Sequence, residues 1–316
     1  MKNLLVTGGC GFIGSNFINY MLDTYNDIAI VNVDKLDYCS DINNVYHKER
    51  YKLVVTDINN SYNLNNILES HNIDSVVHFA AQSHVDNSFG NSIQFTRDNV
   101  MGTHTLLECC RVYGKIEKFV HISTDEVYGE VDTEHKGCNE KSLLNPTNPY
   151  AATKAAAEFL VRSYYHSFKL PVVITRGNNV YGPRQFPEKL IPRFISNLLI
   201  GKKCPIHGEG KTRRNFIYVD DVSKAVDTIL RKGEINEIYN IGSDDEFSVL
   251  EVLKTLLEEM GIKEPIEEVC EYVEDRAFND FRYCIDSSKL ELLGWKKTVS
   301  FKEGINKTIL WYKQNS

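Results

Sequence analysis

Leu4 to Phe17 reads LLVTGGCGFIGSNF, and the fold turns on how this stretch is read. A short apolar strand runs into glycines 8, 9, 11 and 14, and a helix is expected to open directly behind them. Gly8, Gly11 and Gly14 stand at three-residue spacing, and Gly9 completes a GxGxxG with Gly11 and Gly14. Missing side chains let a backbone loop approach a pyrophosphate, which then sits at the positive end of the following helix. The glycine pattern alone is common; the strand before it and the helix after it are the context the motif requires.

Working outward, further apolar runs follow at 28 to 34, 51 to 57, 73 to 80, 117 to 124 and 171 to 176, in addition to residues 3 to 8. Between them lie candidate helices at Gly14 to Leu22, Asn60 to Ser70 and Gln94 to Tyr113. Near-continuous apolar strands alternating with helices imply a parallel sheet covered on both faces. The expected fold class is therefore α/β, a doubly wound parallel (Rossmann) sheet. After Arg176 the rhythm breaks into GNNVYGPRQFPEKLIP and strands become sparse, which marks a second, smaller region, expected to be a C-terminal substrate-binding domain. The expected division is 1–176 for the NAD-binding domain, with 213–239 returning to it, and 177–212 plus 240–316 for the substrate-binding domain.

Asp34 closes the second strand about twenty residues beyond Gly14, where a carboxylate accepts both ribose hydroxyls of NAD and repels the 2′-phosphate of NADP. Lys35 stands beside it. Asp57 and Ile58, and the FAA of Phe79, Ala80 and Ala81, fall at carboxyl ends of strands, where ligands of such sheets bind. The composition agrees with a small-molecule protein. The chain has 316 residues, a net charge of −7 and no block of Lys and Arg, which argues against nucleic-acid or anionic-membrane partners. No apolar run has the length of a membrane span, and MKNLLVTGG turns into the glycine loop before a signal-peptide core could form, so a cytoplasmic protein is expected. Eight scattered cysteines form no CxxC pair, and nine histidines form no HxxxH or HExxH grouping, so reduced thiols and no metal site are expected.

Two motifs carry candidate chemistry. NPYAATKAAAEF places Tyr150 and Lys154 four apart on one face of an Ala-rich helix. An ammonium beside a phenol stabilises the phenolate and makes Tyr a usable base. VHISTDEVYG carries a strand through Ser123 and Thr124 into two adjacent acids, Asp125 and Glu126. Isolated, that turn would be read as solvated polarity.

The set GGCGFIGS, AAQSHVD, STDEVYG, PYAATK, NNVYGPRQFPEKLIP, RNFIYVDDV, YNIGS and DRAFNDFRY resembles the extended short-chain dehydrogenase/reductases, specifically the nucleoside-diphosphate-glucose 4,6-dehydratases. The resemblance covers nearly the whole chain, and the T-D-E before V-Y-G is its most specific part. It implies a lyase that oxidises the sugar at C4 with NAD, eliminates water across C5 and C6, and returns the hydride to C6, so that NAD stays tightly bound. It further implies that Tyr150 with Lys154 serves the oxidation, that Glu126 is the C5 base, that Asp125 is the acid at O6, and that Thr124 holds the 4-hydroxyl region. Two adjacent carboxyl groups would then match two adjacent reacting atoms. The resemblance adds Phe12, Ile13, Ser83 and Asn99 to the cofactor set. It gives the substrate Ser83, Thr124, Asn179, Lys189, Leu190, Pro205, Ile206, His207, Arg214, Asn240, Asp275 and Arg276.

UDP-glucose, dTDP-glucose and UDP-N-acetylglucosamine all remain open as substrates. A homodimer through a four-helix bundle is expected, with Ala151, Ala155 and Phe159 on the shared face. Two rival readings are a sugar-nucleotide 4-epimerase or decarboxylase, which needs no acid/base pair at C5 and C6, and a non-catalytic NAD-binding scaffold, which needs neither Tyr150 nor the acids.

Overall fold

The structure, a computed structural model, describes residues 1–132, 134, 136–275 and 280–315. Among these, twelve strands run in chain order as β1 (Asn3–Thr7), β2 (Ala29–Asp34), β3 (Tyr51–Val55), β4 (Ser75–His78), β5 (Lys118–Thr124), β6 (Val172–Gly177), β7 (Asn179–Tyr181), β8 (Cys204–His207), β9 (Arg213–Tyr218), β10 (Ile238–Ile241), β11 (Glu246–Ser248) and β12 (Cys270–Val273). Seven of them form one sheet in the order β10-β6-β5-β4-β1-β2-β3. Every pairing in it is parallel. The strand order reverses between β1 and β4, and the cleft of such a sheet opens above that point.

Alternation along each strand explains why both faces are covered. Leu4, Val6, Val77, Val120 and Val173 point to one side and pack on Phe17, Ile18 and Met21 of the helix Phe12–Thr24 and on Val226 and Ile229 of the helix Val219–Lys232. Leu5, Val76, Phe119 and Ile174 point to the other and meet Leu64, Leu106, Leu107 and Val161 from three further helices. A third core, built on Tyr181, Phe194, Ile206, Phe216, Leu253 and Phe301, supports the C-terminal part. There β7, β9 and β11 form one small sheet and β8 and β12 another.

The strands stop short of the apolar runs at their carboxyl ends. Gly8, Asp57, Phe79 and Ala80 have left the ladder and line the cleft instead. The returning segment expected at 213–239 divides. Arg213–Tyr218 pairs in a small sheet, whereas Val219–Lys232 packs on the first helix and Ile238–Ile241 completes the large sheet.

The expected helix 94–113 is a composite: Ser92–Phe95 and Gly102–Tyr113 are α-helical, with a π-helical turn at Thr96–Met101 between them. Such turns widen the helix and re-aim side chains, often at functional sites. Here the turn carries Asp98 and Asn99, both buried. Asp98 accepts from Lys35 Nζ at 2.7 Å and from Gln82 Nε2 at 2.9 Å. Asn99 takes the backbone N–H of Gln82 at 2.7 Å and returns a bond to its carbonyl at 3.0 Å.

Candidate active site

The glycines are fixed by packing as much as by any ligand. Gly8 has φ +72°, and a Cβ on it would come within 2.7 Å of the Ala80 backbone; one on Gly14 would lie 2.4 Å from the Gly8 carbonyl oxygen. The loop thus presses against the end of β4 and against itself, which leaves Gly8, Gly11, Phe12, Ile13 and Gly14 along one wall of a cavity of about 460 Å³. The helix behind it begins at Phe12 with Gly11 as its N-cap and no side-chain cap, so its first-turn N–H groups stay available to an anion.

Asp34 also lines the cavity, held by Cys10 N at 2.9 Å, Leu36 N at 2.8 Å and Ser40 Oγ at 3.1 Å. Lys35 is drawn away into Asp98 and Asp37, the latter at 3.2 Å, so its charge is already matched and does not present a site for a 2′-phosphate. Asp57, Ile58, Phe79, Ala80, Ala81 and Ser83 complete this half of the wall. The donor set fits NAD. Asn99 differs from expectation: it does not line the cavity but braces Gln82 and donates to Thr153 Oγ1 at 2.9 Å from behind.

Thr124, Glu126, Tyr150 and Lys154 line the same cavity. β5 delivers Thr124 at its carboxyl end, and a 3-10 turn, Asp125–Tyr128, follows at once. Asn148 caps the Tyr150 helix (Pro149–Phe168) by accepting from Ala151 N at 2.8 Å, with Pro149 in the first turn as helix starts favour. The other end of the same Asn148 amide donates to Glu126 Oε2 at 3.0 Å. The two acids are not a solvated turn. Burial pushes Asp125 up to about 7, against its hydrogen bond from Asn178 Nδ2 at 2.8 Å and with Glu126 adding to the rise. Glu126 is raised as well, again chiefly by desolvation and opposed by Asn148.

Asp125 is only 2% exposed and lies behind the cavity wall. The Thr124 hydroxyl reaches its Oδ1 at 3.3 Å. The expected pairing of Tyr150 with Lys154 needs correction. Lys154 Nζ donates to the Ile122 carbonyl at 2.6 Å, and burial lowers it to about 8. Tyr150 is raised far above an ordinary phenol by burial first and by the Glu126 charge second, with Thr124 partly offsetting both. A strand carbonyl thus competes for the ammonium, so the i,i+4 spacing alone does not depress the phenol.

Of the residues expected to meet the substrate, Asn179, Lys189, Leu190, Pro205, His207 and Arg214 line the cavity. Lys189 Nζ donates to the Ser83 carbonyl at 2.8 Å, and the Arg214 guanidinium lies 4.7 Å over the Tyr283 ring. Ile206 does not belong to the wall: it is fully buried in the C-terminal core because side chains alternate along β8. Asn240 is likewise fully buried, accepting from Tyr128 Oη at 2.8 Å and donating at 2.9 Å to the carbonyls of Cys138 and Asp286. With both amide hydrogens used, it is a brace and not a ligand contact. Asp275 sits against Gly208, outside the lining, and Arg276 lies outside the described residues.

The cavity adds residues that sequence reasoning missed, among them Gln82, Asn148, Asn178, Glu188, Asp280 and Tyr283. Asn148 carried a signal, since Asn before Pro and an Ala-rich helix is a cap. Tyr283 and Asp280 hydrogen-bond each other, and Asp280 also takes the Thr147 hydroxyl at 2.8 Å. No such pairing is visible in sequence. Among the described residues no group of His, Cys, Asp and Glu could hold a metal ion, and no helix is long and apolar enough to cross a membrane.

The model of the family described as GDP-mannose 4,6 dehydratase matches residues 5–308. A trifunctional protein of Arabidopsis thaliana, named as UDP-glucose 4,6-dehydratase, 3,5-epimerase and reductase, is 50% identical over 99% of this chain; the chain spans only 47% of that relative. The dTDP-D-glucose 4,6-dehydratase of Dictyostelium discoideum is 47% identical, with 100% of this chain and 82% of that protein covered. Among solved structures, the dTDP-glucose 4,6-dehydratase DesIV of Streptomyces venezuelae, solved with NAD bound, is 40% identical at a TM-score of 0.94, covering 99% of this chain and 97% of the other.

Proposed function

This chain belongs to the NAD-dependent nucleotide-sugar 4,6-dehydratases of the extended short-chain dehydrogenase/reductase family, and we propose on that footing that it removes water from a nucleoside-diphosphate hexose to give the 4-keto-6-deoxy sugar. The substrate is UDP- or dTDP-glucose, with UDP-N-acetylglucosamine as the less supported choice. The observation that carries this reading is the desolvated Asp125–Glu126 pair, whose members are both raised, beside Thr124, Tyr150 and Lys154. A 4-epimerase or decarboxylase has no use for such a pair. The large-sheet half holds the dinucleotide, and the residues from the C-terminal part hold the nucleoside diphosphate.

NAD, when bound along the glycine loop, supplies the oxidising equivalent for C4 and the reducing equivalent for C6. Tyr150 takes the proton of the sugar 4-hydroxyl as its phenolate, a form that burial opposes and that needs the Lys154 ammonium to turn from the Ile122 carbonyl toward it, with the Thr124 hydroxyl steadying the oxygen. The resulting ketone acidifies C5–H, and Glu126 removes that proton. Asp125, which at neutral pH retains much of its proton, lies behind the wall, so it supplies the proton to the departing 6-hydroxyl through Thr124: the Thr124 hydroxyl, which donates to Asp125 at 3.3 Å in the resting site, turns to accept the Asp125 proton and passes its own to the leaving oxygen. Lys189 and Arg214 supply the positive charge for the diphosphate. The test is direct: incubated separately with UDP-glucose, dTDP-glucose and UDP-N-acetylglucosamine, the protein should convert at least one to a product lighter by one water in mass spectrometry. No loss of water from any of them would sink the assignment.

A redox-neutral cycle gains nothing by releasing its cofactor. Protein purified without added nucleotide is therefore expected to release NAD on denaturation, and NADP in the extract would overturn the role given to Asp34. The protein is also read as a C2 homodimer through the expected helices, with the expected face kept at Phe159 and corrected at its two alanines. Ala151 and Ala155 are buried within the chain. The outward apolar residues on the two helices are instead Phe159 at 59% and Phe168 at 52% exposure, with Ile93, Met101 and Val112 on the neighbouring 92–113 segment. Light scattering at micromolar concentration should give twice the chain mass of 36.2 kDa; a monomer would refute it.

A further inference from the structure

Beneath the site lies a buried charged cluster that the proposed chemistry does not use. Arg176 on β6 and Glu158 on the Tyr150 helix are 2% and 1% exposed. Arg176 Nε donates to both Glu158 oxygens at 3.1 Å, and Nη2 donates to Oε2 at 2.6 Å. Its Nη1 donates to Tyr128 Oη at 2.9 Å, and the guanidinium lies 4.7 Å over the Tyr128 ring. Tyr128 closes the turn that bears Asp125 and Glu126. A buried ion pair is costly and contributes little net stability, so this one calls for another reason.

The surroundings of Lys154 supply it. Glu158 follows Lys154 by one helical turn on the same face. The other titratable groups facing the ammonium carry no compensating charge. His78 on β4 is neutral with a fixed tautomer: Thr103 donates its own proton to the Asn99 carbonyl at 2.6 Å, so His78 Nε2–H must donate to Thr103 at 2.9 Å and Nδ1 accepts from Thr7 at 2.7 Å. His121 on β5, buried and without a hydrogen-bond partner on either ring nitrogen among the described residues, is held neutral by burial. Arg176 from β6 is engaged by Glu158, and Asp125 and Glu126 act on Tyr150 instead. Burial alone drives Lys154 toward its neutral form, and Glu158 is the charge that opposes it.

We propose that Glu158, fixed by Arg176, is the counter-ion and positioning residue of Lys154, and that the Arg176–Tyr128 contact locks the oxidation helix to the elimination turn. This rests on the reading of Tyr150 and Lys154 as the oxidation pair, but its test does not need turnover. The titration of Lys154 can be followed by NMR of the protein labelled with 13C at the lysine ε-carbons, the signal being assigned by its loss in Lys154→Met. The wild-type midpoint is expected near 8, and Glu158→Gln should lower it by about one unit or more. The alkaline limb of turnover should move down with it, while KM for the sugar nucleotide stays within twofold.

Since Gln at 158 leaves Arg176 buried without its partner, the double variant E158Q/R176M, which removes both charges, decides the matter if the single variant fails to fold. It too should titrate below the wild type. Lys154 titrating at the wild-type pH in whichever variant folds would overturn the proposal. A wild type that releases no water from any sugar nucleotide would instead refute the dehydratase reading, and the titration would still judge Glu158.

Discussion

Sugar nucleotide mixed with the Glu126→Gln variant should keep its water. Glu126 is the cavity carboxylate nearest in role to the C5 proton, and desolvation raises its proton affinity above that of a solvated acid, which strengthens it as a base. Gln matches it in shape and can still accept from Asn148 Nδ2, so the fold should survive. Loss of a positioned base typically costs about 10²–10⁴ in rate. Tyr150, Thr124 and Lys154 are untouched, so oxidation at C4 should proceed and the reduced-nicotinamide absorbance should rise and persist. Mass spectrometry would find little dehydrated product. Tyr150→Phe should show neither absorbance change nor product. Dehydration at the wild-type rate by Glu126→Gln would return the turn to simple polarity.

Asp125→Asn should lose activity and gain stability together. The folded protein holds the Asp125 proton up to about 7, whereas the ordinary value is 3.8. Between those pH values the unfolded chain releases a proton that the folded chain keeps, so stability falls as pH rises through the window. At 1.36 kcal/mol per unit the accumulated cost is at most about 4 kcal/mol above pH 7. Asn cannot ionise, can still accept from Asn178, and escapes this cost. Its melting temperature should therefore exceed the wild type clearly at pH 8 and barely at pH 4, and equal gains at both would refute the burial argument. Dehydration should meanwhile slow by about 10²–10⁴ through loss of the acid, and the part of the wild-type activity decline that sets in near pH 7 should vanish from the residual rate, leaving the alkaline limb that Lys154 sets near 8.

Much of this architecture is legible in the order of the residues. Continuous apolar runs mark the six strands on which the expected sheet rests, because strands covered on both faces need no polar alternation. Glycine spacing places the loop, and STDEVYG with PYAATK brings four of five catalytic candidates onto the cavity wall. The departures have local causes. Pro205, Ile206 and His207 read as one contact, but a strand turns alternate side chains away, so the middle residue enters the core. Asn99 points elsewhere because a π-helical turn shifts its phase. Asn240 is consumed by carbonyls from segments 102 and 46 residues away, a pairing without sequence signature. The protonation of Lys154 and Tyr150 depends on the Ile122 carbonyl and on burial, neither of which helical spacing reports.

Asn148 gives the site a direction of descent. One amide caps the helix that carries Tyr150 and also steadies Glu126, so the redox half and the elimination half are inherited together at this position. Residues 125 and 126 are different: either acid could drift to a neutral residue without unseating Tyr150. A lineage could thus shed water elimination in two substitutions and keep a working C4 redox centre, relieved of the cost of a buried carboxyl. Regaining the pair would require two acids to appear in a desolvated turn, each unfavourable until its partner makes it useful. The turn should act as an evolutionary ratchet, with dehydratases giving rise to simpler redox relatives more readily than the reverse.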